Sequence, residues 1–229
     1  MSTFQVDPNT GEVKLKDITV IADPAVTKIE DMSVMSSVDN KWLFVATINF
    51  LSPNKIFSFS VNNNTGSLSL VDTKTVGYWN SGVLPLRVSS LEVSPNGLYL
   101  FAGFTSPGGY LAVYLINVDG TLTQEGPLLQ PALAGQSASF VAVNNKNDKV
   151  YAALGNEPIL SVAALSFDGT NFAGLPGSPV SLNGVGSAIA VSLSNDNNFL
   201  FATSYLDVVM FPLDSNGVPI ASKASIINE

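Results

Sequence analysis

One arginine and one acid in this sequence could act together on a ligand. Arg87 is the single arginine of the chain, and Glu92 follows it on the apolar segment that comes next. A guanidinium beside a carboxylate can hold an anionic ligand or a polar oxygen of a neutral one. The simpler interpretation is a structural ion pair, or an arginine that donates to loop carbonyls. Arg87 and Glu92 are therefore speculative catalytic residues.

A pair of aromatic residues lies shortly before that arginine. Tyr78 and Trp79 are followed by Asn80, and aromatic rings beside an amide can stack on a sugar or on a partner side chain. Packing between neighbouring parts of the fold is the simpler interpretation. With Arg87, these two residues form the predicted ligand or partner surface.

Several acidic residues occur at similar points of different segments and could converge on one Ca²⁺ ion through oxygen ligands. They are Glu30, Asp31, Glu157 and Asp207. No D-x-D-x-D-G loop is present, and the stretches Asp7–Gly11 and Asp214–Gly217, which look only superficially like calcium loops, are better explained as turns. The sequence therefore predicts no metal site and no cofactor.

The composition excludes several classes of function. Cysteine and histidine are both absent, which removes disulfides, thiolate metal sites and every Ser-His or Cys-His catalytic device. The net charge of −8 disfavours nucleic acids and anionic membrane surfaces as partners. We expect neither a membrane span nor a signal peptide, and a cytoplasmic, virion or cell-surface location.

The elements that must position these residues follow a repeated pattern, clearest over Leu91–Thr121. Ser94–Gly97 is a turn signal, because proline presets the backbone and Asn-Gly tolerates positive φ. Apolar, aromatic runs follow it, and Asp119-Gly120 marks the next turn. Short β-branched and aromatic runs between such turns predict antiparallel strands.

Two landmarks repeat in phase roughly every 50 residues, a spacing typical of propeller blades. One is an aromatic residue in the strand after the first turn, at Phe44, Phe101, Tyr151 and Phe201. The other is a glycine in the last turn, at Gly11, Gly66, Gly120, Gly169 and Gly217. The pattern predicts an all-β propeller or propeller arc of four-stranded antiparallel blades; a β-sandwich is the alternative.

We predict one domain over residues 1–229, with blades at about 31–74, 91–127, 137–180 and 187–224 and a half blade at 4–20. Three explanations of this count stay open: a compact propeller with a shortened fifth blade, an arc closed by association, or part of a longer chain. Association is favoured, because an open blade face exposes apolar surface.

Four segments connect this repeat to a known family. They are VSPNGLYLFAG (Val93–Gly103), YLINVDGTL (Tyr114–Leu122), VDPNTGEV (Val6–Val13) and VNNNTGSL (Val61–Leu68). They resemble the lactonase-type seven-bladed propellers, which include 6-phosphogluconolactonase-like proteins, muconate-cyclising enzymes and YVTN-type repeats. For the enzymes, the resemblance implies a site of His, Arg and Glu at the channel mouth, which a chain with no histidine and one arginine cannot reproduce.

We therefore expect a non-catalytic binding or structural module that assembles with itself or with another protein. The alternative is a lactonase-like hydrolase acting on a sugar lactone, with Arg87 and an acid at the channel mouth. A carbohydrate-binding propeller that uses Tyr78 and Trp79 is a further hypothesis. Both the hydrolase hypothesis and the carbohydrate-binding hypothesis are compatible with a small-molecule or sugar ligand.

Overall fold

The apolar runs form antiparallel strands in the computed structural model, and the predicted β-propeller architecture is confirmed. The structure describes residues 2–7, 9–18, 31–48, 54–76, 78–79, 84–85, 87–105, 110–129, 137–156, 159–205 and 207–227.

The first two sheets lie before residue 76. A hairpin consists of β1 (Ser2–Val6) and β2 (Val13–Ile18). Blade one consists of β3 (Asp31–Ser36), β4 (Trp42–Ile48), β5 (Lys55–Val61) and β6 (Leu68–Thr75). A short hairpin, β7 (Tyr78–Trp79) and β8 (Leu84–Pro85), follows.

Three further blades repeat the arrangement. Blade two contains β9 (Val88–Val93), β10 (Tyr99–Phe104), β11 (Tyr110–Ile116) and β12 (Leu122–Leu129). Blade three contains β13 (Ser137–Val143), β14 (Lys149–Asn156), β15 (Ile159–Phe167) and β16 (Phe172–Gly174), with β17 (Val180–Asn183) also paired to β15. Blade four contains β18 (Ala190–Leu193), β19 (Phe199–Thr203), β20 (Val208–Pro212) and β21 (Ser225–Ile227), with a 3₁₀ turn at Ala221–Lys223.

Strand β10 shows why the strand sequences are apolar without interruption. Leu100, Ala102 and Phe104 belong to a buried cluster shared with blade one. Phe101, on the opposite face, belongs to a cluster shared with blade three. A sheet buried on both faces needs apolar residues at successive positions rather than at alternate ones.

The first strands of the blades lie side by side. Strand β9 contacts both β3 and β13, and β13 also contacts β18. Residues near the end of one first strand are therefore close to residues that are distant in the sequence. This arrangement positions the candidate site.

The repeated glycine of the last turn packs on the preceding blade. The Gly120 carbonyl accepts a hydrogen bond from Ser58 Oγ (2.6 Å), and the Gly217 carbonyl accepts one from Tyr151 OH (2.8 Å). At Gly120 the φ angle is +82°, and an added Cβ would lie 2.5–2.7 Å from three carbon atoms of the Trp42 ring. Glycine is required there by both backbone angle and space.

The first turns of neighbouring blades are joined through asparagine side chains. The Asn96 N–H donates to Asn147 Oδ1 (3.0 Å), and the Asn145 N–H donates to Asn197 Oδ1 (3.2 Å). Asn147 and Asn197 have φ angles of 60° and 55°, in the left-handed region that asparagine tolerates. The corresponding residue of blade two is Gly97, which has φ +73° and no side chain.

Replacing Gly120 with alanine should destabilise the fold by about 3 kcal/mol, from backbone strain and the clash with Trp42. Gly11→Ala is the matched control, because Gly11 has a similar φ of +71° and nothing within 4 Å of an added Cβ. Urea denaturation of both variants measures the difference. Equal losses would show that the contact with Trp42 contributes nothing.

Replacing Gly97 with asparagine should extend the asparagine links to the first turn of blade one. An added Cβ lies 3.7 Å from Val38 Cβ, an ordinary contact, and the carboxamide can accept from that turn. We expect Gly97→Asn to be more stable than Gly97→Ala by about 1 kcal/mol, the net contribution of one hydrogen bond. Thermal denaturation compares the two; an alanine variant as stable as the asparagine variant would contradict the prediction.

Candidate functional site

Glu92 lies near the end of β9 and faces blade three. It is directly opposite Phe101 in the antiparallel register, so the two side chains share one face of the sheet. Phe101 packs there with Val141 and Val143 of β13. Glu92 therefore lies at the interface between blades two and three, called the seam below, where their first strands are adjacent.

A cleft of about 230 Å³ opens at this seam. Its walls come from the first strands of three blades: Glu92 from blade two, Val141–Val143 from blade three and Val191–Ser194 from blade four. Its rim is formed by residues of the first turns, including Asn145 and Asn195. Because no single blade contains more than one wall, the cleft exists only when the blades are packed together.

The carboxyl group of Glu92 has no hydrogen bond or ion pair with any of the residues that the structure describes. Burial raises the pKa of Glu92 from its ordinary value of 4.5 to about 7, because a carboxylate loses hydration there without gaining a partner. A group with this pKa both accepts and donates a proton near neutral pH, as general acid–base chemistry requires.

A second polar group lies on the same face of β9. Ser90 is directly opposite Gly103 in the register, and its buried hydroxyl has no hydrogen-bond partner in the described part of the chain. The neighbouring Ser89 hydroxyl donates to the carbonyls of Gly103 (3.1 Å) and Ala138 (3.2 Å). The wall between β9 and β13 therefore contains polar groups along with its apolar contacts.

Arg87 lies at the opposite end of β9. It immediately precedes the strand, and its carbonyl accepts from the Thr105 N–H (2.9 Å). At about 3.3 Å per residue, the Cα atoms of Arg87 and Glu92 are separated by roughly 16 Å. Arg87 is not among the described residues that line the cleft. The structure therefore does not bring the two residues together in the cleft, and a role for Arg87 stays a prediction.

The two aromatic residues predicted to bind a ligand or partner lie in a short hairpin. Tyr78 and Trp79 form β7, paired with Pro85 and Leu84 of β8. Stacking of a ligand on the two rings stays a prediction.

Of the four acidic residues suggested as calcium ligands, the structure describes Asp31 and Asp207, which belong to different blades. Glu30 and Glu157 lie outside the described residues, Asp31 begins β3, and the Asp207 N–H donates to Ser204 Oγ (3.0 Å). In the described ranges no three acidic residues come close enough to hold a metal ion.

The two stretches that look superficially like calcium loops form turns, each closed by its single aspartate. The Asp214 carboxylate accepts from the N–H groups of Asn216 and Val218, each at 2.8 Å. Asp7 does the same for Asn9 and Thr10. These carboxylates satisfy local backbone donors, as Asx-turns do.

The neutral polar lining of the cleft was missed by the sequence analysis. The sequence pattern gave no chemical role to Asn145, Ser192, Ser194 or Asn195. What these residues share is their position in the repeat. They lie at the end of the first strand, or in the turn after it, in blades three and four. Aligning the repeats at that point and asking what faces Glu92 would have found them.

No helix of the described residues is long and apolar enough to cross a membrane. Comparison with curated proteins gives no match.

Solved propellers resemble the fold throughout its length. The periplasmic gluconolactonase PpgL of Pseudomonas aeruginosa is 20% identical with a TM-score of 0.72, over 98% of this chain and 63% of that one. A Lactobacillus plantarum protein is 15% identical with a TM-score of 0.71, over 99% and 63%. A putative 6-phosphogluconolactonase from Bacteroides uniformis is 14% identical with a TM-score of 0.55, over 99% and 76%.

The chain thus spans less than two thirds of the length of the gluconolactonase, and identities this low show the fold alone. A family model gives the assignment. The model described as "Lactonase, 7-bladed beta-propeller" matches residues 99–229, which is more than half of the sequence. This chain belongs to the lactonase family of seven-bladed β-propellers.

Proposed function

We propose that the cleft at Glu92 is the hydrolytic site of a lactonase-like enzyme that opens a sugar lactone. The observation behind this proposal is a partly buried carboxyl group that has no partner among the described residues and lies in a cleft between the first strands of three blades. Family membership supports it. Together they favour the hydrolase alternative over the non-catalytic module that the composition suggested.

In the proposed reaction, Glu92 acts as a general base. Its carboxylate takes a proton from a water molecule, whose oxygen attacks the carbonyl carbon of the lactone. The bond from that carbon to the ring oxygen then breaks, and the ring oxygen leaves as a hydroxyl after receiving the proton from Glu92. The product is an open-chain hydroxy acid, and Glu92 is regenerated.

The remaining lining suits the other needs of such a reaction. Val141–Val143 and Val191 exclude water from one side of the carboxyl group, which keeps its pKa near neutrality. Side-chain donors from Ser192, Asn195 and Asn197 line the cleft and can reach the oxygens of the substrate.

Glu92→Gln should lower kcat for lactone hydrolysis by at least about 100-fold, because an amide cannot accept the proton. The wild-type rate should rise as pH rises towards about 7 and then level, because the ionised form of Glu92 is the active one. The described residues that face it from β13, β18 and the adjoining turns are not titratable. Initial rates on glucono-δ-lactone, corrected for spontaneous hydrolysis, test both points.

The control is Glu125→Gln, which neutralises a partly buried acid on β12 outside the cleft. We expect its rate to match the wild type. A Glu92→Gln variant with wild-type kcat would rule out the base and, with it, this site.

The same substitution should stabilise the protein at high pH. The folded state keeps the Glu92 proton between pH 4.5 and about 7, whereas the unfolded state releases it, so this group lowers stability progressively as pH rises through that window. Above pH 7.5, Glu92→Gln should gain up to ~3 kcal/mol over the wild type, and below pH 4.5 nothing. Urea denaturation at pH 4.5 and 8 measures this; an equal effect at both values would contradict the burial of the charge.

A further inference from the structure

The charges around the cleft bear on which lactone it accepts. Glu92 is the one ionisable residue among the described residues that line it. The other polar lining groups are amides and hydroxyls, which carry no charge. The chain as a whole has a net charge of −8, so the surrounding field adds no attraction for an anion.

Two lysines of blade three lie close to this cleft in the sequence but line a different one. Lys146 and Lys149 line a separate cleft between blades three and four, together with Asp196 and Asp214. Lys149 Nζ lies 3.5 Å from the Asp148 carboxylate. The charge of Lys149 is therefore balanced by Asp148, and neither lysine is among the described residues that line the cleft containing Glu92.

The neutral groups of the cleft are partly committed to the links between turns. The Asn145 side-chain amide donates to the Asn195 carbonyl (2.8 Å), and Asn197 Oδ1 accepts from the Asn145 N–H. Asn145 Oδ1, Asn197 Nδ2 and the Ser192 hydroxyl have no hydrogen-bond partner among the described residues and so keep capacity for a ligand. This is a mixed set of acceptors and donors, which suits hydroxyl groups because a hydroxyl both donates and accepts.

The size of the cleft limits the ligand further. About 230 Å³ is below the roughly 300–1,000 Å³ of clefts that hold drug-sized ligands. A single small ring fits this volume better than an oligosaccharide or a nucleotide.

We propose that the cleft accepts a neutral polyhydroxy lactone of one ring and discriminates against lactones that carry a phosphate. This inference rests on the proposed hydrolase function and narrows it to one substrate class. A phosphate entering the cleft would lose hydration and meet the Glu92 carboxylate with no cation from the lining to compensate.

The test compares kcat/KM for glucono-δ-lactone and for its 6-phosphate at pH 7, each corrected for spontaneous hydrolysis. We expect a preference of at least about 100-fold for the neutral lactone. Equal or faster turnover of the phosphorylated lactone would overturn the inference and leave the hydrolase proposal intact. Turnover of neither substrate above background would overturn the hydrolase proposal itself.

A pair of variants tests the electrostatic cause. Ser192→Lys places an ammonium group at the cleft wall, and Ser192→Gln adds a side chain of comparable length without charge. The lysine variant should shift the preference towards the phosphorylated lactone by at least about 10-fold relative to the glutamine variant. Identical preferences in the two variants would show that charge does not set the selectivity.

Binding without turnover provides an independent readout. Glucono-δ-lactam, a neutral analogue that is not hydrolysed by this reaction, should raise the melting temperature of the wild type, whereas inorganic phosphate should not. Stabilisation by phosphate that Glu92→Gln strengthens would mean that the cleft is an anion site, contrary to the inference.

Discussion

Coverage of both faces of each blade is the constraint on which this structure depends. A four-stranded sheet with apolar residues on both sides cannot remain in water alone, so every blade must have a neighbour. The seam between blades two and three shows how closely this is met. The ring of Phe167, at the end of β15 in blade three, packs edge-on against two rings of β10 in blade two. The distance between ring centroids is 5.2 Å to Tyr99 and 5.1 Å to Phe101.

The repeated sequence landmarks follow from this constraint. The glycine of the last turn recurs because the second strand of the preceding blade lies against it, as Trp42 lies against Gly120. The asparagines of the first turns recur because their side chains accept a hydrogen bond from the first turn of the preceding blade. A glycine or asparagine that a single repeat explains as a turn residue thus also makes a contact between two blades.

The fold could be predicted from the sequence, whereas the site could be predicted only in part. Turn signals such as Ser94–Gly97 and apolar runs such as that of β10 act locally, so one chain displays them without help from tertiary contacts. Glu92 attracted notice as an acid on a first strand. Its predicted pairing with Arg87 was based on their closeness in the sequence. Because the segment between them is an extended strand, the two residues lie at opposite ends of it. Its actual neighbours, Val141 and Ser192, come from other blades, and nothing in the sequence around Glu92 names them.

A comparison with the other acids of the chain explains why Glu92 is singled out. Asp72 also lies between two blades, and burial alone would raise its pKa. The Leu122 N–H (2.8 Å) and Lys74 Nζ (3.0 Å) reverse this, and the pKa of Asp72 is lowered. A structural carboxylate at a seam is therefore partnered, and it stabilises the fold by staying ionised.

Glu92 also lies between two blades, but it has no such partners among the described residues, and its burial costs stability near neutral pH. Because carboxyl groups with such a raised pKa cluster at functional sites, this cost supports the proposed role of Glu92 in proton transfer.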